Sequence, residues 1–351
     1  MHIGIFSKLE YAGGSEFRCA EMANGITRVA GCRVTLLAEK KIAPQVREAV
    51  TAGVELVEGV MSTPRLLALE AVDHLLVVNT DSKEFAHADY WQGRTPRHAR
   101  TVHLERLRSL TFLFNFIVSP ARHLATIKPQ VDDLRIITAN QKFFREISEQ
   151  SRYADVRHYP RLCLESPINT QLVQWPKTPA PRLRFGMHSR AMSGKWNSEL
   201  ATLIETVNRE HGDRVSWDFM GMPEALARTI GRLPNVRARP EFDVPVGEYL
   251  SGIDVFVYFP HWKREEPWSR SVAEALTSGC PVITTDKGGN RDQVLHGNNG
   301  FLCRTTQEFA EACGQMVANA AIYRALQRNA LAGSRRFATS EVIDRFLDFV
   351  R

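Results

Sequence analysis

Short apolar, β-branched runs alternate with amphipathic stretches along both halves of the chain, and a proline-rich segment divides them. In the first half the strand-like runs are Ile3–Phe6, Arg33–Ala38, Leu75–Asn79, Arg100–His103, Asn115–Val118 and Leu134–Thr138. In the second they are Leu183–Met187, Val215–Met220, Val236–Arg239, Val255–Phe259, Val282–Thr285 and Gly300–Cys303. The helical patterns between them include Ser15–Val29, Pro44–Ala52, Trp196–Glu210 and Ser269–Ser278. Near-continuous apolar strands separated by helices predict parallel sheets covered on both faces. The divider holds Pro167, Pro176, Pro179 and Pro181, which permit neither a regular helix nor a central strand. The expected fold class is therefore α/β, with two doubly wound, Rossmann-like domains: residues 1–165, a linker over 166–181, and residues 182–335. The last segment, 336–351, reads as an amphipathic helix packing back on the first domain, with Thr339 or Ser340 as N-cap. Ligands of such sheets bind at the carboxyl ends of the strands, so the two domains are expected to face each other across a cleft.

The chain's 351 residues suit two domains. Its start lacks the basic and apolar regions of a signal peptide, and nowhere do 18 apolar residues run together. The six cysteines form no CxxC pair and read as reduced, mostly buried thiols of a cytoplasmic protein. The net charge of +6, its larger share in the first half, does not point to nucleic acid. It fits an anionic acceptor, a peripheral contact with the inner face of the membrane, or a plain solvated surface. Residues 106–122 mix Arg with Leu and Phe and read either as a membrane-touching face or as a buried strand with basic flanks.

Residues 265–303 are the most informative stretch. Pro267 can open a helix, leaving the N–H groups of Ser269, Arg270 and Ser271 aimed out of its start. With the helix dipole these form an anion site suited to a diphosphate, to which Arg270 adds charge. Glu266 lies just before this helix and Glu274 two turns in, its side chain leaning back toward the N-terminus. Carboxylates beside a phosphate site make sense as acceptors for hydroxyls: ribose at Glu274, a transferred sugar at Glu266.

This stretch resembles the C-terminal signature of glycosyltransferase family 4. The matching residues are Glu266 and Glu274, Gly279-Cys280-Pro281-Val282-Ile283, Gly288-Gly289, and Gly297-Asn298-Asn299-Gly300. Ser269 stands where the family often has Gly, and Asp292 where it often has Glu. The resemblance implies a GT-B fold, a nucleotide-sugar donor linked to UDP or GDP, and retaining transfer of a hexosyl group. It also implies that Arg190 and Lys195, five apart after the first strand of the second half, grip the donor diphosphate. Gly13-Gly14 resembles the family's N-terminal Gly-Gly loop, and His103 a histidine placed near the donor sugar. Trp268 packs either on the sugar or on its own helix. The expected site is thus His103, Glu266, Arg190 and Lys195 for catalysis. Gly13, Gly14, Trp268, Ser269, Arg270, Ser271 and Glu274 join the last three in donor binding. No Asp-x-Asp motif is evident, so neither metal nor cofactor is expected. The acceptor is a glycan, a lipid-linked molecule or a small molecule, as in polysaccharide biosynthesis. Alternatives are a non-catalytic sugar-nucleotide-binding subunit of a glycan-assembly complex, or a sugar-nucleotide epimerase sharing the two-domain shape.

Overall fold

The computed structural model describes residues 1–60, 71–78, 106–114, 131–154, 156–169 and 182–351. They form two compact units, Met1–Pro167 with Thr339–Arg351, and Ile168–Ala338. The first holds seven strands: β1 (His2–Ser7), β2 (Arg33–Ala38), β3 (Glu55–Val57), β4 (His74–Val78), β5 (Ser109–Phe114), β6 (Leu134–Thr138) and β7 (Arg161–Cys163). All neighbours pair in parallel, in the order β3-β2-β1-β4-β5-β6-β7.

Alternate residues of these strands enter two separate cores, which is why the runs read as continuously apolar. Ile3, Ile5, Leu36, Leu76 and Leu113 face one side. Phe6, Leu37, Leu75, Val77 and Phe112 face the other. The helices Gly14–Ile26 and Thr339–Val350 pack together on the first side through Cys19, Met22, Val342 and Phe346. Arg345 pins the C-terminal helix to the end of β7, with Nη1 2.6 Å from Glu165 Oε2 and Nη2 donating to the Cys163 carbonyl at 2.8 Å.

The second unit has β8 (Leu183–His188), β9 (Val215–Met220), β10 (Val236–Arg239), β11 (Val255–Tyr258), β12 (Val282–Thr285) and β13 (Gly300–Cys303). They too are all parallel, in the order β10-β9-β8-β11-β12-β13. The chain runs outward from β8 to β10, then returns to lay β11 on the other side of β8. That reversal is the switch point at which such sheets bind ligands.

Several boundaries differ from expectation. Within the segment 106–122 the strand is β5, wholly buried, so residues 109–114 take the buried-strand reading and not the membrane-facing one. Arg100–His103 and Asn115–Val118 lie outside the described residues. β3 and β7 have three residues each, too short to leave a periodic signal. The units divide at Pro167/Ile168, within the expected 166–181 linker. Ile168 already belongs to the second unit, its N–H donating to the Phe337 carbonyl at 2.7 Å. The C-terminal segment splits into a 3-10 turn, Ser334–Phe337, and the helix from Thr339, so residues 336–338 end the second unit. All six cysteines are free, four of them buried. Among the described residues no helix is long and apolar enough to cross a membrane.

Candidate active site

β8 and β11 pair at two positions, Phe185 with Val255 and Gly186 with Phe256, and no further toward their carboxyl ends. His188 closes β8 and Tyr258 closes β11, so the chain leaves the sheet on both sides of the opening. Beyond β8 the loop turns through Arg190 to the 3-10 turn Ser193–Lys195. Its path is fixed by close backbone packing. Gly221, at φ +84, lies where a Cβ would sit 1.9 Å from the Ser189 carbonyl oxygen, and the Ala191 N–H donates to Glu241 Oε2 at 3.1 Å. Trp196 is buried under the loop and its indole N–H donates to the Arg190 carbonyl at 3.1 Å.

Glu266 is the centre of the site. It is 5% exposed, and its Oε1 receives Lys195 Nζ at 2.7 Å, the Tyr258 hydroxyl at 3.0 Å and the Arg264 Nε–H. Burial alone pushes this carboxyl up, but the cations of Lys195 and Arg264 outweigh it and hold the group below its ordinary value. Burial pulls the Lys195 ammonium down, with Arg264 and Arg190 adding to that and Glu266 opposing it. All three contacts fall on Oε1, which leaves Oε2 to accept from a ligand hydroxyl. Arg190 is half-buried and its guanidinium has no ion-pair partner among the described residues. It is the unspent positive charge of the site. Arg190→Ala is therefore expected to leave the thermal midpoint nearly unchanged while weakening diphosphate binding by tenfold or more, roughly the 1.5–3 kcal/mol of a charged hydrogen bond; calorimetric titration beside a melting curve reads both.

The Gly-Gly loop after β12 holds Glu266 in place. Gly288, at φ +52, lies where a Cβ would sit 2.4 Å from the Glu266 carbonyl oxygen, and a Cβ on Gly289 would sit 2.0 Å from that of Pro267. The Gly289 N–H donates to the Glu266 carbonyl at 2.8 Å. These glycines thus admit direct backbone contact with the segment that carries the carboxylate.

The helix Arg270–Thr277 starts beside Glu266, with Ser269 as its N-cap. Its first-turn N–H groups point outward as the sequence predicts, with one correction. The Ser269 N–H is taken by Gln293 Oε1 at 3.0 Å, and Gln293 Nε2 donates back to the Ser269 carbonyl at 2.8 Å. Ser269 is buried and serves to anchor the helix start, and the outward amides begin at Arg270. The Ser269 and Ser271 hydroxyls lie 3.3 Å apart. The Arg270 side chain does not stand free as added charge. Its Nε–H donates to Glu274 Oε1 at 2.7 Å, one turn along the same helix. Glu274 Oε2 lies 3.4 Å from His188 Nε2. Burial lifts the Glu274 carboxyl against the pull of Arg270, and brings His188 down to about 3, so the imidazole is neutral.

Trp268 packs toward the protein. It meets Phe337 edge-on at 5.7 Å and packs against the apolar core. Gly13 and Gly14 belong to the first unit. Gly13, in extended conformation, caps the helix Gly14–Ile26 and accepts the Phe17 N–H at 3.0 Å. His103 lies outside the described residues. Among the described residues no group of three His, Cys, Asp or Glu side chains is placed to hold a metal ion. Sequence reasoning missed Tyr258, Arg264, His188 and Gln293. Tyr258 and His188 were legible as polar ends of apolar strands, and Arg264 as a cation two residues before Glu266.

Residues 185–319 match the family profile "Glycosyl transferases group 1". A Dictyostelium discoideum protein described as GDP-Man:Man(3)GlcNAc(2)-PP-Dol alpha-1,2-mannosyltransferase is 27% identical over 130 residues, 35% of this chain and 25% of that protein. Spore coat protein SA of Bacillus subtilis is 32% identical over 69 residues, 19% of this chain and 18% of its own length. The chain thus aligns with a quarter or less of these relatives. Among solved structures, Anabaena HepE in complex with UDP and glucose superposes with a TM-score of 0.70 at 16% identity, covering 99% of this chain and 98% of that one. A glycosyltransferase from Rickettsia africae gives 0.73 at 13% identity, covering 99% and 97%. These likenesses give the fold, two Rossmann-like units of the GT-B type. Residues 185–319, which contain every contact of the Glu266 and Glu274 cluster, are thus similar to the group 1 glycosyl transferases, the kind of protein the chain's sequence resembles.

Proposed function

We propose that this protein transfers a hexosyl group from a UDP- or GDP-linked donor to a hydroxyl of a glycan, lipid-linked or small-molecule acceptor, with retention and without a metal. The observation that carries the reading is the cation cluster at the switch point. Lys195 and Arg264 converge on buried Glu266, and uncommitted Arg190 stands on the same loop as Lys195.

In this reading the donor diphosphate lies against Arg190, Lys195 and the amides that open the helix Arg270–Thr277. Glu266 accepts from a hydroxyl of the sugar through Oε2, and Glu274 from the ribose. As the bond from the anomeric carbon to the diphosphate oxygen breaks, negative charge grows where these fixed donors already point, so little reorganisation is needed. The acceptor oxygen bonds to the same face of that carbon, and its proton passes to the departing diphosphate. That route asks for no separate protein base. Lys195 and Arg264 hold Glu266 ionised, so it remains an acceptor across the neutral range.

The test is to incubate the protein with α-linked UDP- and GDP-sugars and follow the anomeric proton by NMR, first in water alone and then with candidate acceptors. Retention predicts an α signal in the first-formed product, at a rate unchanged by a chelator. A β product contradicts retention, and a rate abolished by chelator and restored by magnesium contradicts the metal-free step.

A further inference from the structure

His188 stands at the switch-point opening, and neither the family signature nor the proposed chemistry uses it. It ends β8, is 8% exposed, and its ring lies edge-on to Phe256 at 5.3 Å and to Tyr249 at 5.7 Å. Its Nε2 is buried and makes no hydrogen bond, and it lies 3.4 Å from Glu274 Oε2. The other oxygen of Glu274 is already held by Arg270.

We propose that His188 is the positioning residue of Glu274: its Nε2–H faces Oε2 while Arg270 holds Oε1, and together they fix the carboxylate plane that meets the donor's ribose. The inference rests on the donor site proposed above and adds a residue to it.

The chemistry follows from charge. A carboxylate in this dry position needs a second donor, and a second cation would neutralise it and pull it away from a ligand's hydroxyls. A neutral imidazole donates without adding charge. An Nε2 lone pair facing a carboxylate oxygen would be repelled, so the proton belongs on Nε2. The charged and titratable groups around the pair are Arg270, on Glu274's own helix, and Tyr249, whose hydroxyl is spent on the Asp218 carbonyl. Losing the His188 donor therefore destabilises the ionised Glu274, whose carboxyl burial already lifts.

The experiment is calorimetric titration with UDP and GDP between pH 5 and 8, on the wild type, His188→Phe, His188→Asn and Glu274→Gln. Phenylalanine keeps the ring packing; asparagine keeps a donor. His188→Phe is expected to weaken binding about tenfold, the size of one lost hydrogen bond to a charged group. It should also move the acid limb of the affinity profile to higher pH, while His188→Asn recovers most of the loss. Glu274→Gln should abolish the limb. Unchanged affinity and limb in His188→Phe overturns the inference while leaving the donor site standing, and equal losses in Phe and Asn reduce His188 to packing. Wild-type affinity in Glu274→Gln removes both the inference and Glu274's assignment to the donor.

Discussion

Glu266→Ala is expected to lower kcat/KM for the sugar-nucleotide by about a thousandfold, as removal of a single preorganised group in a dry site does. It is also expected to destabilise the second unit by about 2–4 kcal/mol, because breaking a buried ion pair strands its partners. Here the stranded groups are Lys195, 16% exposed, and Arg264. Glu266→Gln separates the two effects. It keeps the shape and an acceptor oxygen but gives up the charge, so activity falls while part of the stability returns. The pH dependence has a definite sign. The folded-state carboxyl lies below its ordinary value, so its contribution to stability is present above the unfolded pKa and disappears as pH falls through the folded one. Wild type and Glu266→Ala should therefore converge in stability in strong acid. A gap that stays constant into acid would mean that the ion pairs do not set the carboxylate's charge.

Gly289→Ala carries the second large expectation. The added Cβ meets the Pro267 carbonyl oxygen at 2.0 Å, the Pro267 carbonyl carbon at 2.7 Å and the Trp268 Cα at 3.1 Å. All of these are backbone atoms, so no side-chain rotation relieves the clash. The cost is about 3 kcal/mol, at the upper end for overpacking, and the displaced segment is the one that bears Glu266. Gly31→Ala serves as the control: it adopts φ +77 but meets nothing within 4 Å. That change should cost about 1–2 kcal/mol from the left-handed backbone alone and leave turnover intact. Scanning calorimetry suits the comparison, because Gly289 lies in the second unit and Gly31 in the first and heat reports the unfolding of both. Equal loss of activity in both variants would show that the Gly-Gly loop does not position Glu266.

Much of this architecture is written in local pattern. β2, β6, β9, β12 and β13 begin and end where their apolar runs do, because strands covered on both faces leave few polar positions. The edge strands β3 and β7 escape notice for the opposite reason: three residues hold no period. Glu266 and Glu274 stand out by their spacing around a proline-opened helix. Their partners do not. That Gln293 occupies the Ser269 amide from 24 residues away depends on how the turn after β12 folds back. Arg270 and Glu274 are one turn apart, so their pairing was available from helical geometry. The edge-on contact of Trp268 with Phe337, 69 residues away, is by contrast invisible in local pattern.

The account stands most directly on one titration. The purified protein, without added metal, is titrated calorimetrically with UDP, GDP and dTDP, alongside Arg190→Ala and Lys195→Ala. The account predicts saturable binding of at least one of these diphosphates to the wild type, weakened tenfold or more in both variants while their melting curves show them folded. Absence of binding by all three, or binding that neither substitution disturbs, would contradict a diphosphate site at the switch point of β8 and β11.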